Sequence, residues 1–242
     1  MRARVLTTLL LLALTAGQAA AAPRLLLLTE ENPPFNHTDP ATGRLSGAVT
    51  EILRMVFERA GVAYDMQVHP WARSYKMAQT APDTCVFGTN RTPDREALFA
   101  WIGPLAEGGW VLFARADWPV EIKSLEDAKR HTIAVQAGNA LEKHLTDLGG
   151  FTLEPVSPRV NFKMLAGGRF DLVATGLLNG QLQAKAAGVP VKVVQTLTGA
   201  DISLACHPQT DGAVLARLQK SLEDLRAEGA VQAILSGMKP VM

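Results

Sequence analysis

Residues 25–68 read LLLLTEENPPFNHTDPATGRLSGAVTEILRMVFERAGVAYDMQV, and their periodicity sets the fold class. Leu25 to Leu28 is an unbroken apolar run, the pattern of a strand buried on both faces. A loop with Pro33, Pro34, Pro40 and Gly43 follows. Ser46 is then placed to cap a helix whose apolar positions Val49, Ile52, Leu53, Val56, Phe57 and Ala60 share one face, with Gly61 as its stop. Val62, Tyr64, Met66 and Val68 alternate as a half-buried strand does. Strand, helix, strand in this order is a βαβ unit.

The same alternation runs on through the chain. Residues 72–79 read as a helix, Cys85 to Thr89 and Trp110 to Ala114 as strands. Ser124 with Asp127 makes a capping-box start. Strands at Ile133–Val135, Leu153–Val156, Leu172–Ala174, Val191–Val194 and Ile202–Ala205 alternate with helices at 140–148, 160–166 and 177–187, the helices stopped by glycines. Val214, Leu218, Leu222 and Leu225 mark a helix stripe, and Ala230 to Leu235 a last short helix. This is an α/β protein with largely parallel sheets. There are too many units for one small sheet. The steps at Gly103–Gly109 and Thr196–Asp201 are natural crossing points between two doubly wound lobes. Residues 22–107 with 200–242 are assigned to lobe one and 108–199 to lobe two, with a cleft between them outside the carboxyl ends of the strands.

Composition narrows the class of function. The chain has 242 residues, Lys+Arg 24 against Asp+Glu 23, so no broad basic surface points to nucleic acid. Met1 to Ala21 reads as an export signal: Arg2 and Arg4, a short apolar run from Val5 to Ala16, then small residues. Cutting after Ala21 would leave an exported, soluble protein, expected to be a monomer; an N-terminal membrane anchor is the alternative. In an oxidising compartment the two cysteines, Cys85 and Cys206, can join; a free buried pair is the alternative. Phosphate-loop, nucleophile-elbow and local metal motifs are absent, and no cofactor is implied.

Four segments resemble one family, the bacterial extracellular solute-binding proteins of family 3, receptors for polar amino acids that feed ABC importers. They are Asn32-Pro33-Pro34-Phe35 with Gly43–Gly47, Thr92-Pro93-Asp94-Arg95-Glu96 with Phe99 and Gly103-Pro104, Val135–Ala140, and Gly168-Arg169-Phe170-Asp171. Pro70-Trp71-Ala72-Arg73 is similar to a subgroup of short members. The resemblance implies a periplasmic-binding-protein-like fold of type II that closes on a small solute. It implies that Arg95 clamps a ligand carboxylate, a role that suits a planar guanidinium fork, with Arg91 as its competitor. Gly138, Asn139 and Ala140 stand at a helix start whose free amides favour an anion. Phe35 and Trp71 would wall the cleft, with Asn90, Arg73 and Thr175 as further polar candidates, and Trp101 and Trp110 packing near the first crossing. The resemblance also places the strands of Cys85 and Cys206 side by side, which implies a disulfide.

One departure bears on the ligand. Where amino-acid binders of the family carry an ammonium-holding aspartate, this chain has Gly176. Glu30 or Glu51 are substitutes from the first lobe; otherwise the solute is an acid without an ammonium. An enzyme on the same scaffold, of dehydratase type and with a cleft carboxylate or His69 as its acid or base, and a sensory module without a transport role are the rival readings.

Overall fold

The computed structural model describes residues 24–156, 162–197 and 199–237. The proposed export signal, and the start of the helix expected from residue 160, lie outside the described residues. Two five-stranded sheets organise the rest. The first contains β1 (Leu25–Thr29), β4 (Tyr64–Val68), β5 (Thr84–Asn90), β6 (Ala100–Ala106) and β12 (Ile202–Cys206), in the order β4-β1-β5-β12-β6. The second contains β7 (Trp110–Arg115), β8 (Thr132–Gln136), β9 (Thr152–Val156), β10 (Leu172–Gly176) and β11 (Val191–Leu197), in the order β11-β7-β10-β8-β9. A two-stranded ribbon, β2 (His37–Thr38) with β3 (Leu45–Ser46), follows β1.

Each sheet has one reversed strand. In the first, β12 runs antiparallel to both β5 and β6; in the second, β7 runs antiparallel to both β10 and β11. These are the strands with which the chain enters a sheet after each crossing: β7 opens the second sheet, and β12 returns to the first. The remaining neighbours, β4-β1-β5 and β10-β8-β9, are parallel, as continuous apolar runs such as Leu25–Leu28 require.

The helices cover both sheets. On the first, α1 (Ala48–Ala60) and α7 (Gly212–Ala227) bury Ile52, Leu53, Val56, Phe57, Leu218, Leu222 and Leu225 in one core, beside α8 (Ala230–Gly237). On its other face α2 (Trp71–Thr80) packs against β5 through Trp71 and Ala78. The second sheet has a core on each face, with Leu141 and Leu145 of α4 (Ala140–Leu148) on one side. On the other lie α5 (Phe162–Ala166) and α6 (Leu177–Ala187), which supply Phe162, Leu165 and Ala184. The short α3 (Leu125–Ala128) starts at the expected capping box of Ser124 and Asp127. Gly61 ends α1 at φ 62°, a left-handed position that glycine occupies without a side-chain clash.

Two sequence expectations are corrected. Ser46 is not the cap of α1: it sits in β3, its carbonyl accepts from the Thr50 hydroxyl, and Gly47 is the N-cap. A Cβ at Gly47 would press into the Phe35 backbone, so the close passage of the Phe35 loop leaves no space for a capping side chain. The step at Gly103–Gly109 is not wholly a crossing, because its first half is the end of β6. Gly103 and Pro104 look like breakers, yet a Cβ at Gly103 would collide with the Ser203 hydroxyl of β12. Glycine is there to let the two strands approach. The crossings proper touch backbone to backbone, since a Cβ on Gly108 would overlap the Ala200 carbonyl.

Cys85 and Cys206 face each other in register on β5 and β12 and form a disulfide, buried in the first sheet's core. It ties the returning strand to a sheet otherwise made from the amino-terminal part of the chain.

Candidate functional site

The carboxyl ends of the strands converge on a cleft of about 300 Å³ between the sheets. From the first sheet come Glu30 after β1, Gly88 and Asn90 at the end of β5, and Trp71 at the start of α2. From the second come Gln136 at the end of β8, Asn139 and Ala140 at the start of α4, and Thr175 and Gly176 at the end of β10. Phe35 closes one side, and Glu107 to Trp110, in and just after the first crossing, form the back.

Arg95 is the notable charge. It sits in a six-residue 3-10 helix, Pro93–Leu98, started by Thr92 and by Pro93, whose fixed φ suits a first helical position. Its side chain lines the cleft although the residue is only 5% exposed. No hydrogen bond or ion pair to its guanidinium is found among the described residues. The contacts are ring faces: Cζ lies 4.9 Å from the Tyr75 centroid and 5.6 Å from that of Trp71. Burial pulls its pKa below the ordinary arginine value, while Tyr75 and Asp94 push the other way. Arg91, its competitor, is occupied: its Nε donates to Glu96 at 2.8 Å in an exposed pair.

The helix start of α4 differs from the expectation. Asn139 caps it, its side-chain oxygen accepting from the Glu142 amide at 2.8 Å. The Gly138 N–H is not free for a ligand, because it donates to the Glu142 carboxylate, and Gly138 itself does not line the cleft. The helix supplies its own anion for that donor. The first-turn amides of Ala140 and Leu141 remain the groups without a carbonyl one turn back. Arg73 is also misplaced by the sequence reading. It is exposed on α2, whose buried face is Trp71, Ser74 and Ala78, and it does not line the cleft.

Of the two acids considered as substitutes for the missing aspartate, Glu51 is turned to Arg54 on the surface of α1. Glu30 lies in the cleft, where its carboxylate accepts from the Gln136 side chain at 2.9 Å. Gly176 does have room for a side chain: a Cβ there would find nothing nearer than the Gly109 carbonyl at 3.8 Å.

Several cleft residues were not singled out from the sequence, namely Glu107, Leu178 and Asn179, while Asn32 and Gln136 were named only as members of family-like segments. The one legible signal of Glu107, Leu178 and Asn179 is position, at a crossing or directly after an apolar strand. Trp110 belongs both to the second sheet's core and to the cleft wall, whereas Trp101 lies beside Arg91 and donates its ring N–H to the Glu96 carbonyl. No histidine lines the cleft among the described residues, His69 included.

Among the described residues, three side-chain hydrogen bonds link the two sides of the cleft. The Trp71 ring N–H donates to the Gly138 carbonyl at 3.3 Å, Gln136 to Glu30, and Asn179 to Asn32. The lobes are therefore drawn together in this structure.

A family model described as bacterial extracellular solute-binding proteins, family 3, matches residues 25–237. Among curated proteins none gives a significant sequence match. Solved structures with the same fold include an ancestral arginine-binding protein bound to arginine, with TM-score 0.77 and 24% identity, covering 89% of this chain and 98% of that one. The substrate-binding protein of an amino acid ABC transporter gives 0.76 and 18%, covering 89% and 98%. A histidine kinase sensor domain with similarity to periplasmic binding proteins gives 0.79 and 20%, covering 90% and 96%.

Proposed function

This chain belongs to the bacterial extracellular solute-binding proteins, family 3, and from that membership we propose that it captures a small carboxylate-bearing solute, an amino acid or related organic acid, for an ABC importer. The observation that carries the reading is Arg95. A desolvated guanidinium is unfavourable unless something pairs with it, and this one has only ring faces. A bidentate carboxylate would supply the missing partner. Phe35 and Trp71 form apolar walls, Asn90 and Thr175 offer polar contacts, and the Ala140 and Leu141 amides meet the solute from the second lobe. Glu30 takes the ammonium or other cationic end, a role that Gly176 leaves open. We further propose a signal cut after Ala21, export to the periplasm, and lobes formed by 22–107 with 200–242 and by 108–199.

A sensory role is the second reading, favoured by the likeness to a histidine kinase sensor domain. It shares the binding step and differs in the partner that reads the closed form.

The test is thermal unfolding against L-arginine, other amino acids, dicarboxylates, keto acids and small peptides. A ligand at a hundredfold excess over Kd adds ~2.7 kcal/mol, or roughly 5–10 °C for a chain of this size. A shift with a carboxylate-bearing solute that disappears in Arg95→Ala supports the proposal. A carboxylate-independent shift, or none across the panel, overturns it. Co-purification with membrane permease subunits, rather than with a kinase, separates importer from sensor.

A further inference from the structure

Of the three hydrogen bonds that span the cleft, one is made by a residue that also touches Arg95. Trp71 opens α2 directly after Pro70, is 8% exposed, and lays its ring against the guanidinium, with Cζ 5.6 Å from the centroid. Its Nε1–H donates to the Gly138 carbonyl of the other lobe at 3.3 Å. The other two bonds, Gln136 to Glu30 and Asn179 to Asn32, involve neither Arg95 nor its rings. We infer that Trp71 is the coupling residue of the cleft: one ring face holds the anion-binding arginine while its N–H latches the opposite lobe, so that capture at Arg95 and closure favour each other. The inference concerns the same cleft as the proposed function and rests on that reading for its liganded arm alone.

The geometry gives a physical route. Arg95 is positioned by rings, not by a carboxylate. The rings themselves form a fixed series, Trp71 to Tyr75 at 5.3 Å, Tyr75 to Phe99 at 5.2 Å, and Phe99 to Trp101 at 5.5 Å. Cation–π attraction fixes the guanidinium plane against the indole without consuming its N–H fork, which stays available to an anion. An anion paired with that fork restrains Arg95, and the packed arginine restrains the indole rotamer. Only a restrained indole keeps Nε1 aimed at lobe two, and the bond to Gly138 exists only when the lobes meet. By linkage the effect is reciprocal: whatever closure adds to anion affinity, the anion adds to closure.

Trp71→Phe keeps an aromatic face for Arg95 and deletes the N–H; Trp71→Leu deletes both. A third variant, with 3-benzothienylalanine at position 71, keeps the ring shape and replaces only the N–H. The readouts are the radius of gyration in solution, with and without L-arginine, and Kd for L-arginine by calorimetry. Losing one neutral hydrogen bond predicts about fivefold weaker binding and a larger radius for the Phe and benzothienyl variants. Trp71→Leu should weaken binding several-fold more. Wild-type Kd and radius in the benzothienyl variant would overturn the latch, and equal losses in Phe and Leu would overturn the hold on Arg95. If L-arginine does not bind the wild-type protein, the choice of probe is wrong. The comparison of radii without it still decides the latch, since equal radii overturn it.

Discussion

The two sheets are built to the same plan, each with one reversed strand where the chain arrives from the other sheet, but they bring different chemistry to the cleft. The first sheet contributes a buried charge, Arg95, with aromatic walls from Phe35 and Trp71, and is cross-linked by Cys85–Cys206. The second contributes amides and backbone: Gln136, Asn139, the first turn of α4, and Thr175 beside the bare Gly176. In the proposed reading, strong, directional pairing is thus concentrated on one side, and many weaker contacts meet it from the other. A ligand held first by one lobe and completed by the second gains differential affinity for the closed state, which is what shifts the equilibrium toward closure.

The sharpest way to break this asymmetry is Arg95→Ala. It should raise Kd for a carboxylate ligand at least about 100-fold, as the loss of a charge-assisted bidentate contact implies. Arg91→Ala, which removes an exposed pair with Glu96, should change Kd less than about threefold in the same calorimetry. On stability, the largest effect is that of the disulfide. Replacing both cysteines by alanine opens a closed loop of 121 residues and should remove up to about 4 kcal/mol, seen as a fall in Tm of roughly 10 °C. Gly176→Asp would move a charge to the second lobe. There is space for it, and it should tighten binding of α-amino acids about tenfold while weakening dicarboxylates, with the panel of solutes as the measurement. Asn139→Ala removes the cap of α4 and should cost about 1 kcal/mol, a drop of a few degrees in Tm.

Much of the fold was legible because local patterns are set by near neighbours. The apolar run Leu25–Leu28, the stripe of α1 and the Ser124–Asp127 box depend on residues a few positions apart, and the structure has each of them. β6 was hidden because Gly103 and Pro104 look like a break; the strand exists through pairing with β12, about a hundred residues away, where Gly103 makes room for Ser203. The site divides in the same manner. Arg95, Trp71, Phe35 and Asn139 stood out as residue types in recognisable segments, and all line the cleft. The loss of Arg73 and of the Gly138 amide was not visible, since one depends on the rotation of α2 and the other on the reach of Glu142.

What the sequence by itself determined was the alternation of strand and helix, the two candidate arginines, and the absence of an acid at position 176. Those follow from side-chain type and periodicity, which need no knowledge of distant partners. Only the tertiary structure decided which arginine is available. Pairing with Glu96 occupies Arg91, while rings from α2 enclose Arg95 and leave its fork to the cleft. It decided too that Glu30, not Glu51, stands in the cleft, because the direction a carboxylate faces is set by the packing of whole elements.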